Sequence, residues 1–208
     1  MSDLQRTPEW YRDRCGCLTG SRVADALAVS KRDGKPLKAR QDLLLEILAE
    51  RLTGEVQAHF TTAAMQWGID HEDEAREAYE LATGEVVEGT GFVRHPLIDR
   101  FGASPDGLVG TDGLVEIKCP GTATHVYRLM NPGAGIEAYR PQLLAQLACT
   151  GRAWVDMVDF DPRIQDPALR LRIERFTPGA GEMEAFLAGV QAFLEDVAAA
   201  EAQIRGAQ

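Results

Sequence analysis

SPDGL at 104–108, followed by LVEIKCP at 114–120, holds a turn and a strand in close succession. Ser-Pro-Asp-Gly is a turn signal, since proline presets φ and glycine reaches conformations closed to other residues. GLVEIK at 113–118 reads as the strand after a short one, so a hairpin is predicted with Thr111, Asp112 and Gly113 in its connection. Alternation along this strand puts Glu116 and Lys118 on one face, Val115 and Ile117 on the other. A carboxylate and an ammonium on an apolar strand are costly to bury unless paired. Two readings follow. In one, Asp106 only makes a turn, and Glu116 and Lys118 form an exposed ion pair on an edge strand. In the other, Asp106 and Glu116 converge from adjacent strands and offer the hard oxygens that Mg²⁺ prefers. Lys118 then holds or helps deprotonate an attacking water, an arrangement suited to phosphodiester hydrolysis.

Upstream, a helix is predicted over about 61–82, stopped by Gly84. Met65, Ile69, Ala75, Tyr79 and Ala82 mark its inward stripe, and Glu72 falls in the middle. A third acid aimed at the same centre is one reading; a glutamate bonded to a buried amide or an arginine is the other. Further upstream, SRVADALAVS reads as a short helix opened by Thr19, Gly20 and Ser21, and ARQDLLLEILAERLTG as a longer one ended by Gly54. Short β-like runs lie at 91–95, 100–104, 113–118, 153–160 and 168–176. Helical stretches lie at about 121–131, 140–150 and 181–204. These elements predict one mixed α/β domain over 1–208, with a helical part of about 1–60 packed on a core of about 61–208. About five strands form a central mixed sheet flanked by helices.

The chain has 208 residues, 45% hydrophobic, and a net charge of -10, enough for one sizeable core. The charge is uneven: residues 1–55 carry ten Lys/Arg against nine Asp/Glu, and KRDGKPLKAR at 31–40 holds five bases and one acid. That permits a basic DNA-facing rim or a merely solvated loop. Cys15, Cys17, Cys119 and Cys149 lack the paired spacing of a zinc site, and free thiols are expected. His59, His71, His95 and His125 show no metal-binding spacing. No apolar run reaches membrane-spanning length and MSDLQRTPEW carries no signal region, so a soluble cytoplasmic protein is expected.

With EWYRDRCGCLTGSRVADAL, GKPLKAR, MQWGIDHEDEAREAYELATG, SPDGL, LVEIKCP, AYRPQLLAQLACTGRAW and DFDPR in view, most of the chain resembles the phage lambda exonuclease and YqaJ viral recombinase family of the PD-(D/E)XK nuclease superfamily. The resemblance implies a restriction-endonuclease-like core and metal-assisted hydrolysis of linear double-stranded DNA from 5′ ends, leaving 3′ overhangs. It implies Mg²⁺, with Mn²⁺ able to substitute, and a metal set of Asp106, Glu116, Glu72 and the carbonyl of Ile117, with Lys118 catalytic. Arg14 and Ser21 match a pocket for a 5′-terminal phosphate. Residue chemistry agrees, because a helix start attracts anions and arginine grips phosphate through two nitrogens. Relatives carry Gln-x-Gln on the helix after the core motif, whereas here Gln142, Leu144 and Gln146 stand; Gln142 and Gln146 share a helical face and are candidate DNA-binding residues. Related iron–sulfur nucleases place three cysteines together near the C-terminus; nothing follows Cys149 here, so no cluster is expected. The resemblance further implies a homotrimer, a single-strand annealing partner and a phage- or prophage-type protein in a bacterial cell.

Overall fold

The computed structural model describes residues 4–30, 32–56 and 61–206; Lys31 of the basic segment and His59 lie outside the described residues. The first element is α1 (Pro8–Arg14). The Thr7 hydroxyl accepts from the Trp10 amide, and Pro8 occupies the position where no amide is needed. Then come β1 (Leu18–Thr19), a 3-10 turn over Gly20–Arg22 and α2 (Val23–Ala26). Next are α3 (Lys38–Thr53) and α4 (Ala63–Thr83), ended by Gly54 and Gly84 with φ of 73° and 75°. A left-handed residue satisfies the last carbonyls, and glycine adopts that conformation without strain.

After α4 run β2 (Val87–Glu88), β3 (Val93–Arg94), β4 (Phe101–Ala103), β5 (Gly107–Val109) and β6 (Gly113–Lys118). They are followed by α5 (Thr122–Met130), α6 (Ala134–Thr150), β7 (Trp154–Phe160), β8 (Leu171–Phe176) and α7 (Glu182–Gly206). The central sheet has the order β2-β5-β6-β7-β8, parallel only between β6 and β7. The mixed five-stranded sheet predicted from sequence is present, with different membership. The runs near 91–95 and 100–104 join β1 in a separate three-stranded sheet, and β2 and β5, with β2 at the edge, fill their places in the five-stranded one. Two- and three-residue strands carry too little alternation to be assigned by period. Gly113 begins β6, paired with Val109 and Trp154, instead of lying in the connection. Helix α6 starts before 140 and runs through Pro141.

Helices cover both faces of β6. Leu114 joins the larger core with Leu143, Leu144, Leu147 and residues of α2, α3 and α7. Val115 and Ile117 join a second core with Ala75 and Tyr79 of α4 and Val158 and Phe160 of β7. Only Ala75 and Tyr79 of the predicted α4 stripe are buried; Met65, Ile69 and Ala82 are exposed. The first half of α4 reaches past the sheet, and its apolar residues line an open cleft. No described helix is long and apolar enough to cross a membrane, and all four cysteines are free thiols.

Candidate active site

The edge-strand reading of Glu116 and Lys118 fails, because β6 lies between β5 and β7 and Glu116 is fully buried. Its carboxylate is surrounded by donors. Lys118 Nζ and Gln142 Nε2 both donate to Oε1, the latter at 2.5 Å, and Gln146 Nε2 donates to Oε2. Helical spacing aims both glutamines at one point. Gln142 and Gln146 thus both donate to Glu116, and Gln146 is buried. Leu144, between them, faces the larger core. The spacing that departs from the family's Gln-x-Gln pair still delivers two amides.

Asp106 is half-buried just before β5. Its Oδ2 accepts from the Ile117 amide at 2.7 Å, and its backbone carbonyl accepts from Arg76 Nη2 at 2.9 Å. Amide and carbonyl of one strand residue leave from the same edge, so the Ile117 carbonyl also faces Asp106. Burial and then the Glu116 charge push the Asp106 carboxyl up to about 8, against the Lys118 ammonium and the Ile117 amide. For Lys118, burial works against the charge, but Glu116 and Asp106 outweigh it and raise the pKa above its ordinary value. In the metal-free site Lys118 is therefore a held ammonium that can orient and donate. Its Nζ lies 4.9 Å from the Tyr139 ring centroid.

Glu72 stands at the lip of the same cavity of about 850 Å³, which Asp106, Ile117, Lys118 and Tyr139 also line. It is paired with Arg6 Nη2 at 2.6 Å and is 3.8 Å from Arg76 Nη2. Of the two readings of Glu72, the arginine-bonded one is what the structure places, and Glu72 shares its cavity with Asp106. Among the described residues no three His, Cys, Asp or Glu side chains form a ready metal cage. The donors facing one another are Asp106, Glu116 and the Ile117 carbonyl. That set suits Mg²⁺, which binds through one or two carboxylates and keeps its waters. A divalent charge there would offset the repulsion that raises Asp106.

Arg14 and Ser21 line a second cavity of about 920 Å³ with Trp10, Thr19 and Arg22. Arg14 lies 3.9 Å over the Trp10 ring, and its pKa falls to about 10 through burial and the neighbouring Arg22. Arg22 is already paired with Glu46 and Glu50, so Arg14 is the guanidinium of this cleft that an anion would relieve. The predicted short helix at Ser21 is a 3-10 turn followed by the four-residue α2; Ser21 sits in that turn with no capping bond, its hydroxyl 3.4 Å from that of Thr19. Arg6, Ser21, Met65 and Ile69 line both cavities, so they form one cleft. In the basic segment, Arg40 turns inward to the Ala26 carbonyl and Asp196, leaving Arg32, Lys35 and Lys38 exposed.

Sequence reasoning missed Arg6, Arg22, Arg76, Trp67, Tyr139 and Arg163. Of these, Tyr139 was legible in principle, because it shares a helical face with Gln142 and Gln146.

The family model described as YqaJ-like viral recombinase domain matches residues 9–153. Among solved structures, the chain is similar to an alkaline exonuclease, LHK-Exo, from Laribacter hongkongensis. Identity is 39% over 96% of both chains, with a TM-score of 0.86, or 0.87 for its complex with dAMP. A phage-related exonuclease from Haemophilus somnus 129PT is 12% identical over 88% of this chain and 95% of that one, with a TM-score of 0.66, and shares the fold. No curated protein matches.

Proposed function

The chain belongs to the YqaJ-like viral recombinase domain family, and from that membership we propose that this exonuclease is a Mg²⁺-dependent enzyme that degrades linear double-stranded DNA 5′ to 3′. The product is a 3′ overhang for phage-type recombination, passed to a single-strand annealing protein. The observation that carries this reading is one cleft with two chemistries: Asp106 and Lys118, backed by the buried Glu116, line one part, Arg14 lines the other, and Ser21 lines both. An anion pocket beside a hydrolytic centre measures position from a terminal phosphate, which is what exonuclease polarity requires.

Asp106, Glu116 and the Ile117 carbonyl would hold Mg²⁺, with Glu72 joining when released from Arg6. Bound there, Mg²⁺ supplies charge stabilisation at the phosphate and acidifies coordinated water. Gln142 and Gln146 fix the Glu116 rotamer. Lys118 orients the attacking water against the phosphate and stabilises the charge that grows on its oxygens. Arg14 takes the terminal phosphate through its guanidinium, stacked on Trp10. A homotrimer enclosing DNA would keep an acidic chain on its substrate, and a solution mass of monomer alone would remove that part.

The test is end-labelled duplex with a 5′-phosphate, with Mg²⁺ and with chelator. Nucleotide release from the 5′ end in Mg²⁺ alone, sparing closed circular DNA, is the expected result. Rapid nicking of the circle, or release from 3′ ends, would overturn it.

A further inference from the structure

Arg163 lies on the wall of the catalytic cavity and takes no part in the chemistry above. It follows β7 in the connection to β8 and is held from three directions. Asp161, fully buried, accepts from Arg163 Nε at 2.7 Å and from Nη2 at 3.0 Å. The Pro120 carbonyl accepts from Nη2 at 3.1 Å. The Trp67 ring, from the cleft-facing half of α4, lies 4.1 Å from the guanidinium carbon. Nη1 has no hydrogen-bond partner among the described residues, and the side chain keeps 43% of its surface exposed. The forked pair, the carbonyl and the stacked indole fix the plane of the group. What is left is one donor edge of a permanently charged side chain, aimed from a rigid mount.

Pro120 is two residues beyond Lys118, a chain span of at most about 7 Å. Arg163, Pro120, Lys118 and Asp106 line one cavity, so the free donor edge belongs to the space that holds the reactive groups. We propose that Arg163, clamped by Asp161 and stacked on Trp67, binds a backbone phosphate of the DNA strand held in this cavity, close to the bond that is cut. This rests on the nuclease reading of the cavity. Arginine is suited to the task because its ordering is already complete before DNA arrives, so little entropy is lost per contact. The phosphate carries no base identity, so Arg163 positions the strand without selecting sequence.

The experiment is duplex binding in chelator at a series of salt concentrations, for wild type and Arg163→Ala. The expected result is affinity lower by about ten-fold at low salt and a log–log salt slope shallower by about one. In Mg²⁺ the same variant raises KM more than it lowers kcat. Should the alanine protein fail to fold, Arg163→Gln removes the charge while keeping a planar amide on a similar stem. An unchanged salt slope, with lowered melting temperature or with kcat falling at constant KM, would show Arg163 to be only a structural tie. Wild-type protein that shows no salt-dependent duplex binding would instead remove the nuclease reading itself.

Discussion

Arg14 Nη1 donates to the Ser104 hydroxyl at 3.3 Å, two residues before Asp106. The same hydroxyl lies 3.0 Å from Trp10 Nε1, which donates to it. One turn therefore carries the acid of the proposed hydrolytic centre and braces the arginine of the proposed anion pocket. Arg14→Ala is expected to lose discrimination between 5′-phosphate and 5′-hydroxyl ends, and Ser104→Ala to weaken it by a bond worth about 1 kcal/mol. Initial rates on the two substrates measure this; an unchanged ratio in Arg14→Ala would remove the end-pocket assignment.

Lys118→Ala removes the held ammonium. Digestion should slow by a factor of about 10² to 10⁴, with duplex binding in chelator much less affected. A rate within two-fold of wild type, by that order-of-magnitude standard, would sink its role in the reaction.

The glutamines give a sharper comparison. Gln146→Leu leaves Glu116 Oε2 without its donor in a buried site, and a loss of about 10- to 100-fold in Mg²⁺ affinity or activity is expected. Leu144→Gln, which restores the family spacing, puts an amide into the larger core. It should cost about 1–3 kcal/mol of stability and bring no gain in rate. Thermal melts and Mg²⁺ titrations of the two variants separate these outcomes.

Asp106 sets a pH dependence. Its folded pKa of about 8 lies above the ordinary 3.8, so between these values the folded, metal-free protein binds more protons than the unfolded chain. Its stability contribution therefore falls as pH rises through that window. A metal ligand must be deprotonated, so Mg²⁺ affinity should climb with pH up to about 8 and flatten above, with proton release below it. Calorimetry at pH 7 in buffers of different ionisation enthalpy reads the released proton; none released would contradict the assignment.

Arg128 and Asp159 form an ion pair between α5 and β7, both buried. Arg128→Ala leaves Asp159 unpaired in a dry setting and should cost about 3–5 kcal/mol. Burial already raises the Asp159 pKa against the pull of Arg128, so the penalty should shrink at acid pH, where the carboxyl takes a proton. Denaturant melts at two pH values test this.

The long elements and strand β6 were legible because their signals are local. Gly54 and Gly84 end helices where the pattern stops, and the alternation of β6 fixes which side chains share a face. Glu72 was read from a stripe that is only partly buried, since Met65 and Ile69 line a cleft that a periodicity argument cannot tell from a core. Arg6, Trp67 and Arg163 come to the cavity from distant segments, and nothing in their neighbours along the chain signals it. Strands β1, β2 and β3 are too short to announce themselves; their pairing partners define them.

Strand β6 has one parity for chemistry and another for packing, and both faces are closed. A single-residue insertion or deletion within Gly113–Lys118 would carry Val115 and Ile117 to the hydrolytic centre and drive Glu116 into the apolar layer under α4. Natural variants of this protein should therefore change length at the Gly110–Asp112 turn and keep the strand's residue count fixed, so that the reading frame of the strand is inherited as strictly as the acids it carries.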